Sequence, residues 1–407
     1  MTIENRLAEL GVELPNAPAP AANYVPFVQV GDIVYVSGQI SNGPDGLITG
    51  KLGADMDVEA GAAAAKTCAI SLLAQVKAAC GGDINRLKRV IKLTGFVNST
   101  ADFTDQPKVI NGASDFLVDA LGDAGRHSRS AVSAVALPLG VAVEIEGIFR
   151  DRMSPQIPPD FIKRPIAHRA LHDLDAGRPE NSRAAIQAAI DYGYGIEIDV
   201  QLSADGQAMV FHDYDLRRLT EDVGAVGQRI ATDLAQISLK GGNEGIPTLG
   251  EVVALVDGRV PLLVEIKDQD GSMGTDVGPL EHAVAEVLNC ASGAIAVMSF
   301  NPHSVALMAE LVPQVPRGLV TSAYRPEDWP LKTKRCDQLR EIPDYVPSRA
   351  SFISHEAADL ARPRVAELRS SGAAVLCWTI RSEAEEASAR RYADNVTFEG
   401  YLPRLSG

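Results

Sequence analysis

Residues 197–213 read EIDVQLSADGQAMVFHD. The run has the look of a buried strand, yet it opens on two carboxylates one residue apart. Side chains i and i+2 of a strand point to one face, so Glu197 and Asp199 are neighbours. Carboxylates that close repel, and one takes up a proton unless a divalent cation accepts oxygens from both. Around this stretch, strand-like runs alternate with helix-like ones. PIAHR, GIEIDVQL, AMVFHD, PLLVEIK, AIAVMSF, RGLVTS, SFISHEA, AVLCWTI and NVTFEG are separated by segments such as NSRAAIQAAIDYG and GPLEHAVAEVLNCA. Such alternation over about 240 residues predicts a (β/α)₈ TIM barrel, with one of the nine runs outside it. An open doubly wound sheet fits the pattern as well.

The barrel accounts for only part of a 407-residue chain. The stretch MSPQIPPDFIKRP (153–165) holds four prolines and reads as an extended linker over 153–164. Before it, residues 1–152 alternate strand, long Ala-rich helix, strand, helix and two strands, an α+β domain with one sheet and two helices. VPFVQVGDIVYVSGQI is taken there as a single strand.

Charge narrows the partners. The formal net charge is −15. Residues 1–152 carry 13 Lys+Arg against 17 Asp+Glu, leaving 25 against 36 beyond. That balance argues against nucleic acid and anionic membrane surfaces. The five cysteines are scattered without a CxxC, which disfavours disulfides and thiolate zinc. No apolar run is long enough for a membrane span, and the N-terminus lacks a signal-peptide pattern, so a cytoplasmic chain is expected.

Side chains at the C-terminal ends of barrel strands converge on one site. Four successive runs end there in His168-Arg169, Glu197/Asp199, His212-Asp213 and Glu265/Lys267, with Pro179-Glu180-Asn181 opening the first helix. This inventory suits cleavage of a phosphate diester: cations stabilise charge on phosphoryl oxygens while histidines move protons. Singly, each signal is weak. E-x-D is commonly a salt-bridged pair, Arg169 could pair with Glu180, and Lys267 could merely neutralise Glu265. His172, His282, His303 and His355 are read as surface or packing residues.

In order, the motifs resemble the glycerophosphodiester phosphodiesterase family over residues 165–407. They are His168-Arg169, PEN at 179–181, Glu197/Asp199, a hairpin from Asp205-Gly206 to His212-Asp213, Glu265/Lys267, Ser299-Phe300 and Trp378-Thr379. The resemblance implies a TIM barrel holding Mg²⁺ or Ca²⁺ through Glu197, Asp199 and Glu265. It implies phosphate contacts from Arg169 and Lys267, an orienting Glu180, and Trp378 as a barrel-mouth wall. His168 and His212 are implied as general base and acid, in either order. The substrate it implies is a glycerophosphodiester, with a lysophospholipid as the alternative. Three positions depart from the family pattern. Ala170 replaces the usual glycine, Arg381 the asparagine of Trp-Thr-x-Asn, and Thr397-Phe398-Glu399 the usual Thr-Asp.

In the first domain, Arg129 begins an apolar strand, and Glu144 and Glu146 share one face of the next. An arginine fork can hold a carboxylate and an acid can position water, although the same residues make an internal salt bridge. YVSGQI (35–40), TGFVN (94–98), RSAV, LP and VEIE resemble the Rid (YjgF) family over residues 20–152. That resemblance implies a chorismate-mutase-like fold, a homotrimer with clefts between subunits, and hydrolysis of 2-imino acids. Arg129 would hold the substrate carboxylate and Glu144 the water. Ser37, Asn98 and, more weakly, Tyr24 would line the cleft. The alternative is a non-catalytic sensor or oligomerisation module.

Overall fold

Gly195–Leu202, which contains the paired acids, is a fully paired strand at the heart of a closed barrel. Ile166–Ala167 precedes it. Leu262–Ile266, Ile295–Ser299, Arg317–Thr321, Phe352–Glu356, Ala374–Ile380 and Asn395–Phe398 follow, each parallel to the last. The final strand pairs with Ile166–Ala167 and closes the ring of eight. The computed structural model describes residues 2–17, 24–151 and 155–405. They form two units, Met1–Met153 and Ser154–Gly407, and the barrel is the second.

Alternation along each strand sorts its side chains. Ile196, Ile198 and Val200 pack outward against the helices. Ile166, Leu263, Met298, Val320, Phe352 and Leu376 fill the interior. The filling is tight: a Cβ on Gly318 would lie 2.2 Å from the Phe352 ring. Because period two is strict, Glu197 and Asp199 on one strand and Glu265 on the next face inward, above this apolar layer.

The run outside the ring is AMVFHD. Ala208–Val210 is antiparallel to Gly195–Leu202, so it is the second arm of a hairpin and not a barrel strand. His212 therefore does not stand at a fourth barrel-strand end, contrary to the sequence expectation. The proline-rich linker also differs from the extended segment expected. Arg152, Met153 and Ser154 lie outside the described residues, but Asp160–Lys163 is a helical turn. It buries Phe161 completely under the barrel, and the Asn395 amide donates to the carbonyls of Phe161 and Arg164 at 2.6 Å each.

In the first unit the sheet runs Phe27–Val30, Ile33–Ile40, Val143–Asp151, Leu87–Asn98, Ser128–Ala134, antiparallel except for the last pair. The expected single first strand is two, turning at Gly31-Asp32, where Gly31 has φ +59°. Helices Val58–Ala79 and Gln106–Leu121 cover one face. They cross so closely that a Cβ on Gly112 would sit 1.9 Å from the Ala62 carbonyl. The other face carries Val28, Tyr35, Phe96, Val132 and Ile148. Within the unit Val28, Tyr35 and Val132 are 49, 47 and 45% exposed. No described helix is long and apolar enough to cross a membrane.

Candidate active site

At the barrel mouth, Glu197, Asp199 and Glu265 each offer an oxygen within 4.8 Å of the others, and all three are buried. Lys267 lies in this nest, its Nζ donating to Asp199 Oδ1 at 2.8 Å and Glu265 Oε1 at 2.7 Å. Asn181 donates to Asp199 Oδ2 at 3.0 Å, and the Arg169 backbone N–H to Glu197 Oε2 at 2.7 Å. Glu197 Oε1 is left buried without a partner.

The charges respond as burial and neighbours require. Burial pushes the Glu197 carboxyl well up, and the Asp199 and Glu265 charges push it further. Burial acts the same way on Asp199, but Lys267, His212 and Arg169 outweigh it and hold that carboxyl down. Lys267 is held protonated by Asp199 and Glu265 against its own burial. Metal-free, the nest is thus a lysine-bridged pair of carboxylates beside a third that holds its proton more tightly than usual because of burial and its acidic neighbours. An orphaned, desolvated oxygen among hard oxygen donors fits a divalent cation.

Two imidazoles flank the acids, and each has a carboxylate partner. His168 Nδ1 donates to Glu399 at 2.7 Å, and His212 Nδ1 to Asp213 at 2.6 Å. Since a carboxylate only accepts, each ring, when neutral, carries its proton on Nδ1 and leaves Nε2 as its basic nitrogen. Burial lowers the His212 pKa, with Lys267 and Arg169 adding to the effect and Asp199 opposing it. Asp213 is fixed in turn by Arg218, which also grips both oxygens of Glu180. Glu180 accepts from Arg169 at 2.9 Å. Arg169 and Lys267, expected on phosphate, are thus occupied by carboxylates in this structure.

Sequence reasoning did not single out Asn181, Arg218 or Glu399 as members of the site. Asn181 was visible as the last residue of PEN, but that triplet is loop, with the helix beginning at Arg183 under a Ser182 cap. Arg218 and Glu399 carried no signal except, for Glu399, its departure from the expected Thr-Asp. Arg169 and Ala170 both have left-handed backbone, φ +52° and +65°, so Ala170 carries strain at a position that suits glycine. His172, read as a bystander, lies 3.8 Å from Glu399. His355, assigned to packing, is buried between Thr321 and Asp359. Trp378 is half-buried at the mouth, edge-on to Phe300, with its indole N–H on the Ser354 carbonyl. It also lines a cavity of about 630 Å³ with Glu356, Arg381, Glu385 and Tyr392.

The candidates of the first unit do not converge within one chain. Arg129 pairs with Leu93 on the helix-covered face, and its guanidinium donates to Ser114, Asn111 and the Pro107 carbonyl. Glu144 pairs with Phe96, three residues on, and so lies on the opposite face. Its carboxylate sits over Gly38, where a Cβ would approach within 2.1 Å. Burial raises its pKa, as does Glu146. The Ser37 hydroxyl donates to the Val25 carbonyl at 3.0 Å, and buried Asn98 accepts from Lys51 at 2.7 Å. Tyr24 is exposed.

Comparison with known proteins agrees with both resemblances. The sequence model of the glycerophosphoryl diester phosphodiesterase family matches residues 168–396, more than half of the chain, and the chain belongs to that family. The YjgF/chorismate mutase-like model matches residues 4–146. Protein TCP17 of Trypanosoma cruzi is 48% identical over 144 residues, covering 35% of this chain and 89% of that protein. A glycerophosphodiester phosphodiesterase of Caldanaerobacter subterraneus is 30% identical over 177 residues, 40% of this chain and 69% of its own. Among solved structures, Atu1372 of Agrobacterium tumefaciens is 47% identical, covering 37% of this chain and 94% of its own, with a TM-score of 0.34. An Oleispira antarctica phosphodiesterase bound to sn-glycerol-3-phosphate is 24% identical, covering 57% and 91%, with a TM-score of 0.48.

Proposed function

We propose that the barrel hydrolyses glycerophosphodiesters to sn-glycerol 3-phosphate and an alcohol. The observation that carries this reading is the buried three-acid nest with a carboxylate-partnered imidazole on either side. Glu197, Asp199 and Glu265 would hold Mg²⁺ or Ca²⁺, which supplies Lewis-acid stabilisation of the phosphoryl oxygens. His168 Nε2 takes the proton of the substrate's 2-hydroxyl as its oxygen bonds to phosphorus. His212 Nε2 gives a proton to the departing alkoxide as the second P–O bond breaks. Water then opens the cyclic phosphate, with the two proton roles reversed. Lys267 turns from its carboxylates to the phosphate, and Arg169, held through Nη1 by Glu180, offers the phosphate its remaining N–H groups. The test is hydrolysis of glycerophosphocholine, other glycerophosphodiesters and a detergent-dispersed lysophospholipid, with and without EDTA. Activity on the water-soluble diesters is expected, lost on chelation and restored by Mg²⁺ or Ca²⁺. Preference for the lipid would move the substrate, and full activity in EDTA would remove the metal.

For the first unit we propose a homotrimer formed through its uncovered sheet face. Aromatic and β-branched side chains exposed on one flat face favour association with further copies. Arg129 and Glu144 meet over one 2-imino acid only if different subunits contribute them, so any deaminase activity depends on assembly. Sedimentation at three times the chain mass is expected; a monomer would end both proposals.

A further inference from the structure

Glu399 stands just beyond the last barrel strand, beside the strand that delivers His168. The His168 backbone N–H donates to the Phe398 carbonyl at 2.9 Å, so the imidazole and this carboxylate are tied together by the closure of the barrel. Glu399 Oε2 accepts from His168 Nδ1 at 2.7 Å and lies 3.8 Å from His172 Nε2. Its Oε1 is 2.7 Å from the Arg381 guanidinium. The hydrogen bond from His168 and the nearby His172 imidazole hold the carboxyl well below the usual range, with Arg381 adding to the effect. An ionised Glu399 keeps the proton of His168 on Nδ1 and the lone pair on Nε2, the form a general base needs. Arg381 and Glu399 are also two of the positions where the chain departs from its family's pattern, and they pair with each other.

We propose, resting on the phosphodiesterase reading, that Glu399 is a positioning residue that sets the tautomer and orientation of His168, and that Arg381 clamps Glu399. Neither residue touches the reacting atoms, so both act only through His168. In Glu399→Gln, an amide N–H can donate to an unprotonated Nδ1 and so favour the tautomer that carries its proton on Nε2, as in other carboxylate-to-amide changes behind a catalytic histidine. We expect kcat to fall about 10- to 100-fold with KM within about threefold. Arg381→Met is expected to lower kcat about 3- to 10-fold, because Glu399 keeps its histidine contact but loses its anchor. The deciding variant is His168→Ala/Glu399→Gln. It should be no more than about twofold slower than His168→Ala alone, since residues acting as a unit are non-additive. Additive losses, or a KM rise at unchanged kcat, would overturn the proposal.

A second measurement does not require turnover. In protein labelled with imidazole ¹⁵N, neutral His168 should carry its proton on Nδ1 in the wild type and lose that preference in Glu399→Gln. An unchanged tautomer in the variant overturns the positioning role. If the wild type hydrolysed no glycerophosphodiester, the functional reading would fall, and the tautomer measurement alone would decide the role of Glu399.

Discussion

His212→Ala is expected to slow release of a poor leaving group, such as choline, by about 10²- to 10⁴-fold. It should slow release of p-nitrophenol from the corresponding glycerol diester far less, because that leaving group departs without a proton. His168→Ala should slow both substrates equally, since deprotonation of the attacking hydroxyl does not depend on what leaves. The two variants therefore separate acid from base. Reversed behaviour would exchange the roles, and full activity in both variants would falsify the mechanism. Neither change should unfold the protein, because both rings lie at the open end of the barrel, above the apolar layer.

Glu197→Gln should abolish activity, by more than about 100-fold, while making the metal-free fold more stable at neutral pH. The two effects share one cause. Glu197 is buried and its free oxygen has no partner, so its folded pKa lies above the ordinary value of 4.5. A carboxyl raised on folding favours the native state fully below its unfolded pKa. That contribution is lost as pH rises through the folded pKa, at no more than about 1.4 kcal/mol per pH unit. Glutamine does not titrate. The stability gap between variant and wild type, both in EDTA, should therefore widen from about pH 4.5 upward and level off above the folded pKa. Denaturant unfolding across that range reads it directly. Metal uptake by the wild type should release a proton and tighten with pH, as calorimetry in buffers of different ionisation enthalpy would show. A gap that closed with rising pH would mean that Glu197 is ionised in the metal-free protein.

Parity explains which parts of this were legible beforehand. Glu197 and Asp199 share a face because they stand two positions apart, and any strand obeys that rule. Glu265 follows because its strand is parallel and adjacent, in the register Glu265 to Asp199. AMVF was different: a short apolar run reads alike whether parallel or antiparallel, so the strand pattern alone counts His212 among the barrel-strand ends. Only the family resemblance, with its hairpin from Asp205-Gly206 to His212-Asp213, points to the antiparallel arm. Arg129 and Glu144 are different again: the registers through Leu93 and Phe96 put them on opposite faces of one chain, which the sequence pattern alone does not reveal and which leaves a shared site to the clefts between subunits. Glu399 and Arg218 reach their partners across 231 and 38 residues, where no local pattern exists to be read. The prolines of the linker signalled an interruption of helix, but not that Phe161 among them would seal the barrel floor.

The hairpin that carries His212 has a consequence for how such an enzyme can diversify. One imidazole is built into the ring of strands, and moving it would mean rebuilding the scaffold. The other hangs on an appendage whose turn, Ser203 to Gln207, is braced by its own contacts and one to Ala231. Lengthening or shortening that arm would move His212 alone and, on the proton roles proposed above, retune only the end of the reaction that meets the departing alcohol.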